Sequence, residues 1–169
     1  MKRKIAICLA MLMLWMPYSA GKAMPEVSSH SACVIDIDTG RILAAKNENE
    51  KSEPASITKI MTALIALENA DIKKVVTIPG AAAGVEGSSI YIKAGEKYSL
   101  EDLLYGLMLR SGNDAATAIA IDVAGSVDAF VEKMNQKAQE LGCTGTHFNN
   151  PHGLPDEKHH TTAHDMALI

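Results

Sequence analysis

Ser56 and Lys59 stand three residues apart at the head of an apolar stretch with helical spacing. Residues three apart on a helix share a face, so the Lys59 amine can approach the Ser56 hydroxyl. That pairing could support nucleophilic acyl transfer. A serine hydroxyl is a poor nucleophile until a neighbouring base takes its proton, and a lysine serves only when its amine is neutral. Burial among apolar side chains, or a second cation nearby, would favour the neutral amine. The helix start adds free N–H groups that can stabilise negative charge on an attacked carbonyl oxygen. Read alone, a serine at a helix start is only a cap. Ser111-Gly112-Asn113 is the second group: it falls between two helices, where a hydroxyl and a carboxamide can face a cleft. Read alone, it is an inter-helix turn with Asn113 capping the next helix.

These groups need elements to hold them. Ser31 to Asp36 and Arg41 to Ala45 are short apolar runs joined by Ile37-Asp38-Thr39-Gly40, which predicts a β-hairpin. Apolar residues at Ile57, Ile60, Met61, Leu64, Ile65 and Leu67 predict a helix from about Ser56. Val75 to Ile78 and Ser89 to Ile92 are strand candidates on either side of a loop at 80–87 rich in glycine and alanine. Ser99, with Asp102 three residues on, caps a helix from Leu100 to about Leu109, and Asp114 caps an alanine-rich helix through Ala124. A third helix runs from Val127 to Leu141 and stops at Gly142, and Thr162 with Asp165 starts a further one. The fold class is α+β, a helical cluster against an antiparallel sheet, with the site between helix and sheet.

Pro54-Ala55-Ser56-Ile57-Thr58-Lys59-Ile60-Met61-Thr62-Ala63-Leu64 and Ser111-Gly112-Asn113-Asp114-Ala115-Ala116 resemble the first two signature motifs of the serine D-alanyl-D-alanine carboxypeptidases, the low-molecular-mass penicillin-binding proteins. The hairpin with Asp38-Thr39-Gly40, the stretch Glu101 to Leu109, the loop Phe148 to Leu154 and Thr161 to Ala167 are also similar to that family, in its order.

The resemblance implies a penicillin-binding, β-lactamase-like transpeptidase fold and a two-step acyl transfer. Ser56, deprotonated by Lys59, would attack the carbonyl between the last two D-alanines of a peptidoglycan stem peptide, releasing D-alanine and leaving an acyl-enzyme for water to hydrolyse. Ser111 would relay the proton, Asn113 would position Lys59 and bind the substrate amide alongside Gly112, and the Ser56 N–H would be half of the oxyanion hole. Penicillins would acylate the same serine. No metal or cofactor is implied. A third motif, Lys-Thr-Gly on a strand, is missing; Lys93-Ala94-Gly95 is the nearest string, out of family order, and reads as a turn. The last helix begins only a turn or so before Ile169, so the expectation is an N-terminal part of a longer catalytic domain, truncated before its C-terminal strands, poorly stable and inactive by itself. Two other readings share the motifs: a serine β-lactamase, against which stands Ser-Gly-Asn in place of Ser-Asp-Asn, and a non-catalytic penicillin-binding sensor or wall-binding module.

Composition agrees with one ordinary globular domain: 169 residues, 47% apolar and 21% charged, with a formal charge of −4 that gives nucleic acid no basic surface. Residues 1–23 differ from the rest. Met1-Lys2-Arg3-Lys4 is cationic, Ile5 to Met16 is apolar, and Ser19, Ala20, Gly21 and Ala23 are small, the order of an export signal cleaved after Ala20 or Ala23. Residues 24–169 would then be the exported catalytic part, in the cell wall or periplasm, and any membrane association would come from a region beyond residue 169. Of the three cysteines, Cys8 falls in the signal, while Cys33 and Cys143 read as small buried apolar residues without a disulfide framework. His147, His152, His159, His160 and His164 read as surface or loop histidines in place of zinc ligands.

Overall fold

The structure is a computed structural model, and it describes residues 26–169. The expected export signal lies outside the described residues. Strand β1 (Ala32–Ile35) pairs antiparallel with β2 (Ile42–Lys46), as the hairpin pattern predicts. Its turn is held by the Asp36 carboxylate, which accepts from the Thr39 N–H at 2.9 Å and the Thr39 hydroxyl at 2.6 Å. Gly40 completes it at φ +68°, a conformation that costs glycine little.

A 3₁₀ turn at Ala55–Ile57 leads into helix α1 (Thr58–Asn69). Strand β3 (Val75–Thr77) pairs antiparallel with β4 (Lys97–Ser99), which passes directly into α2 (Leu100–Arg110). The Ser99 hydroxyl accepts from the Asp102 N–H, and the Asp102 carboxylate accepts from the Ser99 N–H, closing the expected capping box with aspartate in the place of glutamate. Helix α3 (Asn113–Ala124) ends at Gly125, and α4 (Val127–Glu140) is capped by the Ser126 hydroxyl. The short α5 (Ala163–Leu168) starts at Thr162, whose hydroxyl accepts from the Asp165 N–H at 3.0 Å.

Helix α3 is the centre of the molecule. Residues Asn113 to Ala120 are all buried, and alanine at 115, 116, 118 and 120 lets α1, α2 and α4 approach closely. One apolar cluster lies on the α2 side, built on Leu100, Leu103, Leu107, Ile119 and Val76. A second lies on the α4 side, with Met61, Ile65, Phe130, Met134 and Phe148. The sheet is smaller than expected: among the described residues it amounts to two separate two-stranded pairs, and β1 packs on α5.

Two expectations are corrected. Ser89 to Ile92 is not a strand, because the N–H groups of Ile90 and Ile92 and the Ser89 hydroxyl all donate to the Asp114 carboxylate, and Tyr91 sits at φ +63°. The strand that pairs with β3 is Lys97–Ser99. Asp114 is correspondingly not the cap of α3. Gly112 occupies the cap position, and Asp114, in the first turn, gathers the 89–92 loop onto the helix. Burial works against its charge, but the donors from Ser89, Ile90, Ala115 and Ile92 outweigh it and hold the carboxyl below its usual range. Replacing Asp114 with alanine strands those donors, and a loss of about 2 to 3 kcal/mol is expected in urea denaturation. A midpoint equal to the unmutated chain's would show that the loop holds without it.

Candidate functional site

Ser56 is exposed at the middle of the 3₁₀ turn, where main-chain N–H groups have no acceptor within the helix. The residue before it, Ala55, takes φ +49°, a left-handed conformation uncommon for any side chain but glycine's. That kink presents Ser56 at the mouth of a depression whose lining includes Lys59, Ile60, Leu107, Met108 and Ser111.

Lys59 lies one turn along, only 3% exposed. Its amine donates to the Ser56 hydroxyl at 3.4 Å and to the main-chain carbonyl of His152 at 2.7 Å. Burial pulls its pKa down to about 8. A sizeable share of molecules therefore carries a neutral amine at mildly alkaline pH. In that state the contact reverses, and the Ser56 O–H donates to the amine lone pair.

Ser111 ends α2 in a left-handed conformation, φ 56°. Its hydroxyl donates to the Ser56 hydroxyl at 3.1 Å across 55 residues of sequence. Ser56, Lys59 and Ser111 thus meet at one oxygen atom. Gly112 and Asn113 follow directly, at the cap and the first position of α3. The Asn113 amide donates to the Glu86 carbonyl at 2.7 Å, and the described hydrogen bonds of Lys59 go to Ser56 and His152, so the acceptor holding the lysine is a main-chain carbonyl and not Asn113. Gly87, at φ +89°, makes room for that amide, which a Cβ there would meet at 2.6 Å. Gly112 is buried, with Asp114 Oδ1 2.8 Å from where its Cβ would be, so the packing there favours glycine.

The loop 149–154 is the part of the site that residue types do not announce. The Asn150 side-chain oxygen accepts from the N–H groups of His152 and Gly153, shaping the turn, and the Thr62 hydroxyl donates to the Pro151 carbonyl at 2.6 Å. The His152 carbonyl is thereby aimed at Lys59. Burial, with the Lys59 cation beside it adding to the effect, lowers the His152 imidazole to about 4. A carbonyl has no signature in a sequence, and only the turn residues of the loop could have hinted at it. His159 is buried, contrary to a surface reading. Lys93-Ala94-Gly95 is a turn leading into β4, as expected. Cys143 is buried, Cys33 partly so, and both thiols are free. Among the described residues no three or more His, Cys, Asp or Glu side chains are grouped to hold a metal ion.

Comparison with known proteins places this arrangement. Residues 19–169 match the family model described as D-alanyl-D-alanine carboxypeptidase. The chain is 43% identical over 156 residues to D-alanyl-D-alanine carboxypeptidase DacF of Bacillus subtilis, covering 88% of this chain and 40% of the relative. It is 40% identical over 156 residues to D-alanyl-D-alanine carboxypeptidase DacC of Escherichia coli, covering 86% of this chain and 39% of the relative. The crystal structure of D-alanyl-D-alanine carboxypeptidase DacD from Francisella tularensis superimposes with a TM-score of 0.81 at 42% identity, over 86% of this chain and 37% of that one. The chain therefore spans about two fifths of these relatives. Its α+β architecture is that of the penicillin-binding and DD-peptidase proteins. With a match running through both serine motifs and nearly every described element, this chain belongs to the D-alanyl-D-alanine carboxypeptidase family.

Proposed function

We propose that this chain is part of a serine D-alanyl-D-alanine carboxypeptidase that removes the terminal D-alanine from peptidoglycan stem peptides through an acyl-enzyme on Ser56. One observation carries the reading: the Ser56 oxygen lies between a buried lysine amine and a second hydroxyl, 3.4 and 3.1 Å away. Neutral Lys59 takes the proton as the Ser56 oxygen bonds to the scissile carbonyl carbon. The Ser56 N–H faces the oxygen that becomes negative. The proton then passes through the Ser111 hydroxyl to the departing D-alanine nitrogen, and water later cleaves the ester. A β-lactam ring, whose amide is strained, offers the same carbonyl to the same serine.

The cationic and apolar start at 1–23 supports export to the cell wall or periplasm. Among the described residues no helix is long and apolar enough to cross a membrane. We place any membrane association in a region outside this chain.

The test is intact mass spectrometry of the full-length gene product after incubation with benzylpenicillin, beside Ser56→Ala. A mass increase of one penicillin on the unmutated protein and none on Ser56→Ala is expected. Equal labelling of both, or of neither, would overturn the assignment.

A further inference from the structure

His159 lies outside the Ser56–Lys59–Ser111 trio, yet it is 2% exposed and both ring nitrogens are engaged. Nδ1 accepts from the Asn149 N–H at 2.9 Å, so Nδ1 carries no proton. The proton is on Nε2, which stands 2.8 Å from the Thr58 hydroxyl and donates to it. Thr58 is inside the Ser56-to-Lys59 turn, and Asn149 begins the loop whose His152 carbonyl holds Lys59. The His159 ring therefore bridges the nucleophile turn and the lysine-holding loop.

The backbone around it tightens the bridge. Ser52 and Thr161 exchange both main-chain hydrogen bonds at 2.9 Å, while His147 and His160 exchange theirs at 2.8 and 2.9 Å. His160 and Thr161 are thus paired on one side with Ser52, just before the Ser56 turn, and on the other with His147, just before the 149–154 loop. Phe148 packs edge-on against the His159 ring, with centroids 5.7 Å apart. Gly153 presses directly on the Ala55 carbonyl, so the loop and the turn cannot slide past each other.

We infer that His159 is a positioning residue for the Ser56 reaction: its Nε2–H, bonded to Thr58, fixes the Ser56–Lys59 turn against the loop that presents the His152 carbonyl to Lys59. The inference rests on the acylation reading above. The ring acts through its neighbours and touches neither the substrate nor the Ser56 oxygen. Its charge state follows from its surroundings: burial holds it neutral, at about 4, with the Asp156 carboxylate favouring protonation and the rings of His147 and His160 opposing it. His152, within that loop, is likewise held neutral. Protonation would place a second N–H against the Asn149 N–H, which the pairing above forbids.

Three substitutions separate positioning from simple filling of space. Glutamine extends an amide to the place of Nε2 and keeps the link to Thr58, asparagine reaches only the place of Nδ1 and keeps the loop contact, and alanine keeps neither. The experiment measures the rate of benzylpenicillin acylation across pH on the full-length protein, with the Thr58→Val variant beside the others. His159→Ala, His159→Asn and Thr58→Val are expected to slow acylation on the order of tenfold or more, since a misplacement of about 1 Å can cost ~10²-fold, while His159→Gln stays close to the unmutated rate. Loosening the loop also admits water to Lys59. Its amine then moves back toward its ordinary value, and the acid side of the rate profile moves to higher pH in the three slow variants only. A ring that merely fills space would make asparagine and glutamine equivalent and leave the profile in place. That result overturns the positioning role while acylation of the unmutated protein stands. No acylation of the unmutated protein would overturn both readings.

Discussion

Replacing Lys59 with methionine lowers the rate of Ser56 acylation by about a thousandfold, the scale of a lost general base. The pH dependence identifies the group. In the unmutated protein the rate rises with pH through about 8, because burial lowers the amine to that value and only its neutral form accepts the Ser56 proton. The methionine variant is one atom shorter with an apolar end, fits the buried site, and is expected to show no such rise. Stopped-flow acylation by benzylpenicillin from pH 6 to 10 reads both effects. A rise near pH 8 that survives in Lys59→Met would assign the base elsewhere. Linkage adds a stability effect of fixed sign. The unfolded chain holds this proton up to about 10.5, so stability increases as pH rises from about 8 to about 10.5, and below 8 the full cost of burying the cation is present.

Gly153→Ala is expected to be the most damaging single-methyl change in the chain. Gly153 sits at φ +88°, and an added Cβ would lie 1.8 Å from the Ala55 carbonyl oxygen and 2.4 Å from its carbon. Neither atom can step aside, since both belong to the backbone of the nucleophile turn, so the two segments must separate. A loss of about 3 kcal/mol or more is expected from collision and positive φ together, and acylation falls with it as the His152 carbonyl leaves Lys59. Gly95→Ala is the matched control. It has φ +83° and no atom within 4 Å of the added carbon, so it incurs the conformational cost alone, about 1 kcal/mol. Equal losses in urea denaturation would show that the contact with Ala55 relaxes without consequence.

The helices were legible because their apolar residues recur at three and four and their ends carry Ser99, Thr162 and Gly142. The hairpin was legible from two apolar runs and an Asp-Thr-Gly turn. Ser56, Lys59 and Ser111 could be named because their chemistry resides in side-chain type and spacing. The misread strand at 89–92 shows the limit. Ser-Ile-Tyr-Ile has strand composition, but a carboxylate more than twenty residues away claims its N–H groups, and no local pattern reports that competition. Asp114 was mistaken for a cap for the same reason: its position at a helix start was visible and its long-range partners were not. The hold on Lys59 was hidden more deeply, being a backbone oxygen aimed by Asn150 and Thr62.

The links that complete the site are distant in the chain: 55 residues from Ser56 to Ser111, 93 from Lys59 to the His152 carbonyl and 101 from Thr58 to His159. Closing such long loops costs entropy before any contact repays it. A growing chain therefore presents Ser56 long before the segment that burdens Lys59 with a buried, depressed amine has been synthesised. Until residue 159 docks, that lysine is solvated, its neutral fraction at any given pH is far smaller, and the serine beside it lacks an effective base. On the acylation reading, Ser56 gains its base only when the 149–159 segment docks, so the acquisition of penicillin reactivity would report that docking.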